Sequence, residues 1–288
     1  MNTLEYDYLC KLLKERSGLV LSSDKQYLLE SRLLPVVRRH DLGSLGGLVA
    51  RLRAPDAESL IVQVVEAMTT NESFFYRDKI PFDNFNEAIM PALIAARTNQ
   101  RRIRIWCAAA STGQEPYSLA MCLKEMSHKL NGWRIDILAT DLSLEVLAKA
   151  TTGVYSQFEV QRGLPVQMLV KYFTQNGDTW QISPEIRAMV QYRQFNLLHD
   201  FRSLGNFDVV FCRNVLIYFD QHTKIDILHR IARLMPPDGY LVLGAAETVV
   251  GLTERFKPLT DRRGVYALSD GTGVTLAMPR LAVAAAAR

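Results

Sequence analysis

Four short stretches of this chain carry residues whose types and spacing could do chemistry. Ala110-Ser111-Thr112-Gly113-Gln114-Glu115 follows the apolar run Ile103–Ala109 and precedes a helical pattern. A strand, a tight turn of small residues and a helix start make the nucleotide crevice of doubly wound sheets. Small side chains there let a ligand approach the backbone closely. Gly113 is the one glycine of the turn, so GxGxxG is absent and the pyrophosphate chemistry of a nicotinamide enzyme is disfavoured. The next apolar run ends at Asp141, in Ala-Thr-Asp-Leu-Ser. A carboxylate at a second strand tip can accept hydrogen bonds from ribose hydroxyls. The alternative is an N-cap for the helix over 143–150, a task Ser143 could share.

The third stretch is Arg213-Asn214-Val215-Leu216-Ile217-Tyr218-Phe219, after the apolar run Phe207–Cys212. Polar groups at that strand tip face the same crevice, and Tyr218 presents a hydroxyl to a substrate or else packs in the core. The fourth is Thr70-Asn71-Glu72-Ser73-Phe74-Phe75-Tyr76-Arg77-Asp78. Its three aromatics beside an arginine suit a flat ring or a cationic centre, and Arg77 could hold a carboxylate. The other reading is a hydrophobic plug joining two domains, and both can hold together.

The elements that must position these groups fall into two blocks. The first ~70 residues show only helical spacing. Leu4, Tyr8, Leu12 and Leu13 share a face that Gly18 ends. A second helix runs through Leu28, Leu29, Leu33 and Val36, with Pro35 expected to kink it. A third starts near Ser44, and a fourth at Asp56 buries Leu60, Ile61, Val64, Val65 and Met68. From about residue 89, the runs Ile103–Ala109, Ile135–Thr140, Val190–Phe195, Phe207–Cys212 and Tyr240–Gly244 alternate with helices near 115–130, 143–150 and 220–235. Continuous apolar strands between helices imply a mainly parallel sheet buried on both faces, an α/β doubly wound fold. The stretch 153–189 interrupts the alternation. Its Asn176-Gly177-Asp178 reads as a hairpin turn, so a small β-subdomain is inserted there. The expected organisation is 1–68 all-α, 69–88 a linker contributing to the site, 89–270 the α/β domain, and 271–288 a disordered Ala-rich tail.

The totals narrow the class. A chain of 288 residues that is 48% hydrophobic can bury a sizeable core. Its formal charge of +4 is modest, and no block is uniformly basic, so nucleic acid is not an expected partner. Cys10, Cys107, Cys122 and Cys212 form no CxxC, and the five histidines form no HxxH or HExxH. Neither a disulfide framework nor a metal site is expected. No basic-then-apolar leader or membrane-length apolar run is visible, which points to the cytoplasm.

Taken together, the stretches TTNESFFYRD, WCAAASTGQEPYSLAM, ATDLS, FNLL and FCRNVLIYF resemble the chemotaxis receptor methyltransferase (CheR-type) family, in that family's order and spacing over about residues 4–270. Ser73 stands where the family usually has Thr, Tyr76 where Phe is common, Ala109-Ala110 for Gly-Cys, and Ala245-Ala246 for His-Ser. The resemblance implies a Rossmann-like domain that uses S-adenosylmethionine, yields S-adenosylhomocysteine, and methylates glutamates on the cytoplasmic helices of methyl-accepting chemotaxis receptors. By motif, Asn71, Ser73 and Arg77 lie by the cofactor, and Glu115 and Asp141 bind its amino-acid and ribose portions. Asn196 and Leu197 flank the adenine, and Arg213 and Asn214 line the pocket. Arg77 and Tyr218 stand nearest to methyl transfer as catalytic residues.

That chemistry fits the absence of Ser-His-Asp or Cys-His signatures. A glutamate is already ionised at neutral pH, so orientation and proximity dominate its attack. Arg32, Arg38, Arg39, Arg51 and Arg53, set against Asp41 alone, suit docking on an acidic receptor helix. The turn Thr174–Thr179 is short for the loop with which some family members grip a receptor's C-terminal tether, so a tether-independent enzyme is expected; the resemblance further implies a monomer recruited to receptor arrays. The rival readings are a methyltransferase with another acceptor and a non-catalytic module binding S-adenosylmethionine or another nucleotide.

Overall fold

The computed structural model describes residues 2–269, so the tail expected at 271–288 lies outside them. Four helices open the chain: α1 (Thr3–Ser17), α2 (Gln26–Arg39), α3 (Leu45–Leu52) and α4 (Glu58–Met68). A capping box between Asn2 and Glu5 starts α1, and Gly18, at φ 79°, ends it in the left-handed conformation. Ser44 caps α3 by accepting from the Gly47 amide. Leu9, Leu13, Leu29, Leu33, Leu48 and Val64 interlock as the core of this block. Helix α2 continues through Pro35 as a single element.

The stretch read as a linker carries α5 (Ile80–Asn84) and the start of a π turn over Phe85–Ile89, which leads into α6 (Met90–Ala96). The α/β block then runs β1 (Arg102–Ala108), α7 (Gln114–Glu125), β2 (Arg134–Asp141), α8 (Leu144–Thr152) and β3 (Val154–Ser156). It continues with α9 (Gln157–Gln161), α10 (Val166–Tyr172), β4 (Phe173–Asn176), β5 (Thr179–Ile182), α11 (Pro184–Arg187) and β6 (Val190–Gln194). Last come β7 (Val209–Cys212), α12 (Gln221–Arg233), β8 (Tyr240–Leu243), β9 (Phe256–Pro258) and β10 (Val265–Leu268). No described helix is long and apolar enough to cross a membrane.

Seven strands form one sheet in the order β6-β2-β1-β7-β8-β10-β9. Its first five strands are parallel, and β10 is antiparallel to both β8 and β9. The two-residue period of a strand divides the core. Ile103, Ile105, Cys107, Val209 and Phe211 face Tyr117, Leu119 and Ala120 of α7. Trp106, Ala108, Val210 and Cys212 face Ile227, Leu228 and Ile231 of α12. Both faces are therefore covered, which is why these strands read as unbroken apolar runs. The inserted subdomain is a second sheet, β3-β5-β4, whose hairpin turns at Gly177-Asp178.

Strand order reverses between β1 and β7, where open α/β sheets form their ligand crevice. The register makes that edge level: Ala108 pairs with Thr140 and with Cys212, and Cys212 pairs with Leu243. One residue beyond this line come Ala109, Asp141, Arg213 and Gly244.

Candidate active site

A cleft of about 1060 Å³, counting its open mouth, lies over those strand ends. Asn71, Ser73, Arg77, Glu115, Asp141, Asn196, Leu197, Arg213, Asn214 and Tyr218 all line it. Residues scattered over 148 positions of sequence thus meet because one sheet edge gathers them.

Strain marks this edge. Ala109, Ser111 and Asn214 have positive φ of 61°, 50° and 58°, values that cost L-residues energy and persist only where the surroundings hold them. Asp141 holds the first turn: one carboxylate oxygen accepts from the Ser111 amide at 2.8 Å and the other from the Ser143 amide at 3.0 Å. Ser143, not Asp141, caps α8, so each Asp141 oxygen keeps a lone pair for a ligand hydroxyl. Burial raises the Asp141 carboxyl above its ordinary range, against the pull of the Ser143 and Ser111 amides. Gly113, at φ 93°, closes the turn; a β-carbon there would lie 2.6 Å from the Tyr192 hydroxyl.

Arg213 ties three pieces together. Its guanidinium donates to Glu115 at 2.7 Å, and to the Arg77 carbonyl and the Asp78 carboxylate at 2.8 Å each. Its side chain is 1% exposed, so removing either acid would leave a buried charge under-compensated. Burial raises the Glu115 carboxyl and Arg213 opposes that shift. Asn214 is held in place by a residue that carries no motif signal. Both oxygens of buried Glu247 accept backbone amides, from Asn214 (2.8 Å), Val215 (2.9 Å), Leu216 (2.7 Å) and Gly244 (2.8 Å). The short 3₁₀ turn carrying Tyr218 starts at Leu216, so this carboxylate also sets where Tyr218 projects. A lone acid after a buried strand, in Gly244-Ala245-Ala246-Glu247, was the available clue.

The aromatic stretch does not line the cleft as a ring platform. Phe75 is wholly buried against Tyr155 and Phe173, with ring centroids 5.0 and 5.5 Å away, and is the plug of the two alternatives. Tyr76 packs on Phe82 at 5.2 Å. The aromatic rings that do line the cleft are Phe195, Tyr218 and Phe219. The segment itself is pinned by side chains of the α/β block: Ser111 donates to the Asn71 carbonyl and Ser118 accepts from the Tyr76 amide.

Sequence patterning also missed the roof. Ser17, Leu19, Val65 and Met68 of the helical block line the cleft. Asn196 donates its side-chain amide to the Arg16 carbonyl at 2.7 Å and accepts from Leu198, so its amide is occupied in holding that roof. Lys14 pairs with Asp220 at 2.8 Å, and the Val20 amide donates to the Tyr218 carbonyl. Lys14 and the capped Thr223 amide together hold the Asp220 carboxyl well below the usual range. The arginines expected to form one docking face divide. Arg32 donates to the carbonyls of Met68 and Thr69, Arg51 forms a bidentate pair with Asp56, and Arg53 lies 4.7 Å from the Tyr8 ring. Arg38 and Arg39 remain exposed on α2.

The donor set fits one kind of ligand. Acidic Glu115 and Asp141 and the apolar edge of Leu142, Phe195 and Leu197 offer partners for an ammonium, a diol and a flat heterocycle, and basic Arg77 stands in the same cleft for a carboxylate. A mainly parallel sheet with this crevice at its switch point is the frame of a nucleoside-binding α/β protein. Residues 71–265 match the family described as CheR methyltransferase, SAM binding domain, and residues 4–69 match CheR methyltransferase, all-alpha domain. The chain is 41% identical over 266 residues to chemotaxis protein methyltransferase Cher2 of Pseudomonas putida, covering 91% of this chain and 96% of that protein. It is 43% identical over 257 residues to chemotaxis protein methyltransferase 1 of Pseudomonas aeruginosa, covering 88% and 93%. The chain belongs to the CheR family of chemotaxis protein methyltransferases, and S-adenosylmethionine is its cofactor.

Proposed function

We propose that this protein transfers a methyl group to glutamate side chains of bacterial chemoreceptors, forming glutamyl methyl esters. The observation that carries the reading is the convergence of Arg77, Glu115, Asp141 and Tyr218 on one cleft in a chain of this family. S-adenosylmethionine supplies a methyl on a positively charged sulfur; the bond to sulfur breaks as an acceptor oxygen bonds the carbon. Asp141 accepts from the ribose hydroxyls through its free lone pairs, and Glu115, set by Arg213, faces the amino group. Asn71 and Ser73 complete the amino-acid end, Leu197 with the backbone of Asn196 borders the adenine, and Asn214 closes the floor.

No proton needs to be removed, because an acceptor carboxylate is ionised at neutral pH. The work of the site is orientation. Arg77 draws the carboxylate to the mouth and the Tyr218 hydroxyl donates to it, so that one oxygen lies in line with the methyl. Exposed Arg38 and Arg39 of α2 serve the acceptor's acidic helix from outside. The test is incubation with methyl-labelled cofactor and receptor-containing membranes. Base-labile label on the receptor band supports glutamyl ester formation; cofactor binding without label on the receptor would assign another acceptor or a non-catalytic role.

A further inference from the structure

Beside the cleft wall formed by Glu72 and Arg77, two guanidinium groups share one aromatic ring. Arg77 lies 5.4 Å and Arg162 lies 4.4 Å from the centroid of Phe74. Arg162 comes from the loop after α9, in the inserted subdomain, and a glycine brings that loop in. Gly163 has φ 82°, and a β-carbon there would lie 2.1 Å from the Phe75 carbonyl. Only a residue without one lets the loop press against the Phe74-Phe75 backbone. The carboxylate at this arginine pair is Glu72. It accepts from Arg162 at 2.5 Å, and its own carbonyl accepts from Arg77 at 2.9 Å. Glu72 also lines the cleft, and its side chain is 55% exposed. A glutamate side chain of this protein therefore stands at the cleft's entrance, on an arginine beside the one assigned to the acceptor.

We propose that Arg162 is a second acceptor-positioning residue, and that Glu72 occupies it as an internal stand-in until the acceptor glutamate displaces it. The inference rests on the glutamate-methylating reading above. Arg77 interacts with Glu72 through a neutral carbonyl, so two cations face one carboxylate and the mouth keeps a positive surplus for an incoming acid. Arg162 is 41% exposed, and an ion pair this open is weak enough to exchange one carboxylate for another. Phe74 keeps the two guanidinium groups apart and oriented by cation–π contact. The exchange also links occupancy to geometry, since Glu72 precedes Ser73 in the cleft wall.

Arg162→Ala, Arg162→Lys and Glu72→Gln separate the roles. Initial rates of base-labile labelling are measured against concentration of a receptor cytoplasmic fragment. Binding of that fragment, with S-adenosylhomocysteine present, and binding of S-adenosylhomocysteine alone are followed by calorimetry. Arg162→Ala should raise the KM and the Kd for the fragment ~10-fold, the loss of one charge-assisted contact, and leave nucleoside affinity within about twofold. Arg162→Lys should recover part of the loss, because a point charge replaces the fork. Glu72→Gln should lower the fragment KM severalfold by removing the competitor. Labelling of the fragment with an unchanged KM in Arg162→Ala overturns this inference alone, as does an equal loss of nucleoside affinity. A wild-type protein that labels no fragment overturns the glutamate reading and this inference with it.

Discussion

The Glu247 carboxylate and the Asn214 amide, 2.8 Å apart, join the loop after β8 to the loop after β7. Three further backbone amides converge on the same carboxylate. It holds Asn214 at φ 58° and fixes the turn that aims Tyr218 at the cleft. Replacing Glu247 by Gln removes one acceptor and turns an NH₂ towards backbone donors. Glu247→Gln should cost about 2–4 kcal/mol of stability, because buried donors lose a charged partner. Thermal unfolding reads the loss, and turnover at a permissive temperature should fall with it. A Tm within a degree or so of wild type would contradict this role.

Asp141→Asn tests the proposed ribose contact. Asparagine preserves one acceptor for the Ser111 amide but removes the charge and turns an NH₂ towards the Ser143 amide, so thermal unfolding is followed beside the binding. Cofactor affinity should fall by about 1.5–3 kcal/mol, roughly 10- to 150-fold, with the fold retained. Calorimetry with S-adenosylhomocysteine measures it, and unchanged affinity would remove Asp141 from the binding set.

Tyr218→Phe deletes only a hydroxyl. Loss of a preorganised donor at a reacting centre lowers kcat by about 100-fold or more, while cofactor Kd should stay near wild type. Rapid-quench labelling under single turnover separates the two. A full-rate Phe variant would return Tyr218 to a packing role.

Acid pH tests the roof. Asp220 has its carboxyl depressed by Lys14 of α1 and by the Thr223 amide. A carboxyl whose folded value lies below its unfolded value stabilises the fold above about pH 4, and that stability is lost as pH falls towards the folded value. The stability gap between wild type and Asp220→Asn should therefore be widest near neutral pH and narrow steadily below about pH 4. A gap that grows on acidification would reverse the sign and reject the pairing.

Charge on α2 is separable from the cleft. Arg38→Glu with Arg39→Glu should raise the receptor KM without altering cofactor Kd, and the effect should fade at high salt. Salt-independent kinetics identical to wild type would exclude that face from docking.

The doubly wound sheet was legible because its strands are buried on both faces. Ile103, Ile105 and Trp106, or Val209 to Cys212, form runs that amphipathic strands would not. The short antiparallel strands Phe256–Pro258 and Val265–Leu268 carry too few residues to show a period. The cleft's own motifs were legible because strand tips gather residues at predictable positions. Glu247 was legible only as a lone acid after a buried strand, since its partners are backbone amides, which leave no mark in the sequence. The roof was not legible: Ser17 and Leu19 flank the ordinary helix stop at Gly18, and only tertiary packing brings them over the crevice. The partners of Arg32 left no mark in the sequence for a similar reason. They are the Met68 and Thr69 carbonyls at the end of α4, 36 and 37 positions away, so its guanidinium caps the end of a helix.

Mass spectrometry of a receptor cytoplasmic fragment, after incubation with S-adenosylmethionine and either wild-type protein or Arg77→Ala, tests the central claim most directly. Methyl esters confined to glutamate side chains, formed by wild type and strongly reduced with Arg77→Ala, are the predicted result. Unmodified glutamates with wild type, or equal methylation by both proteins, would contradict it.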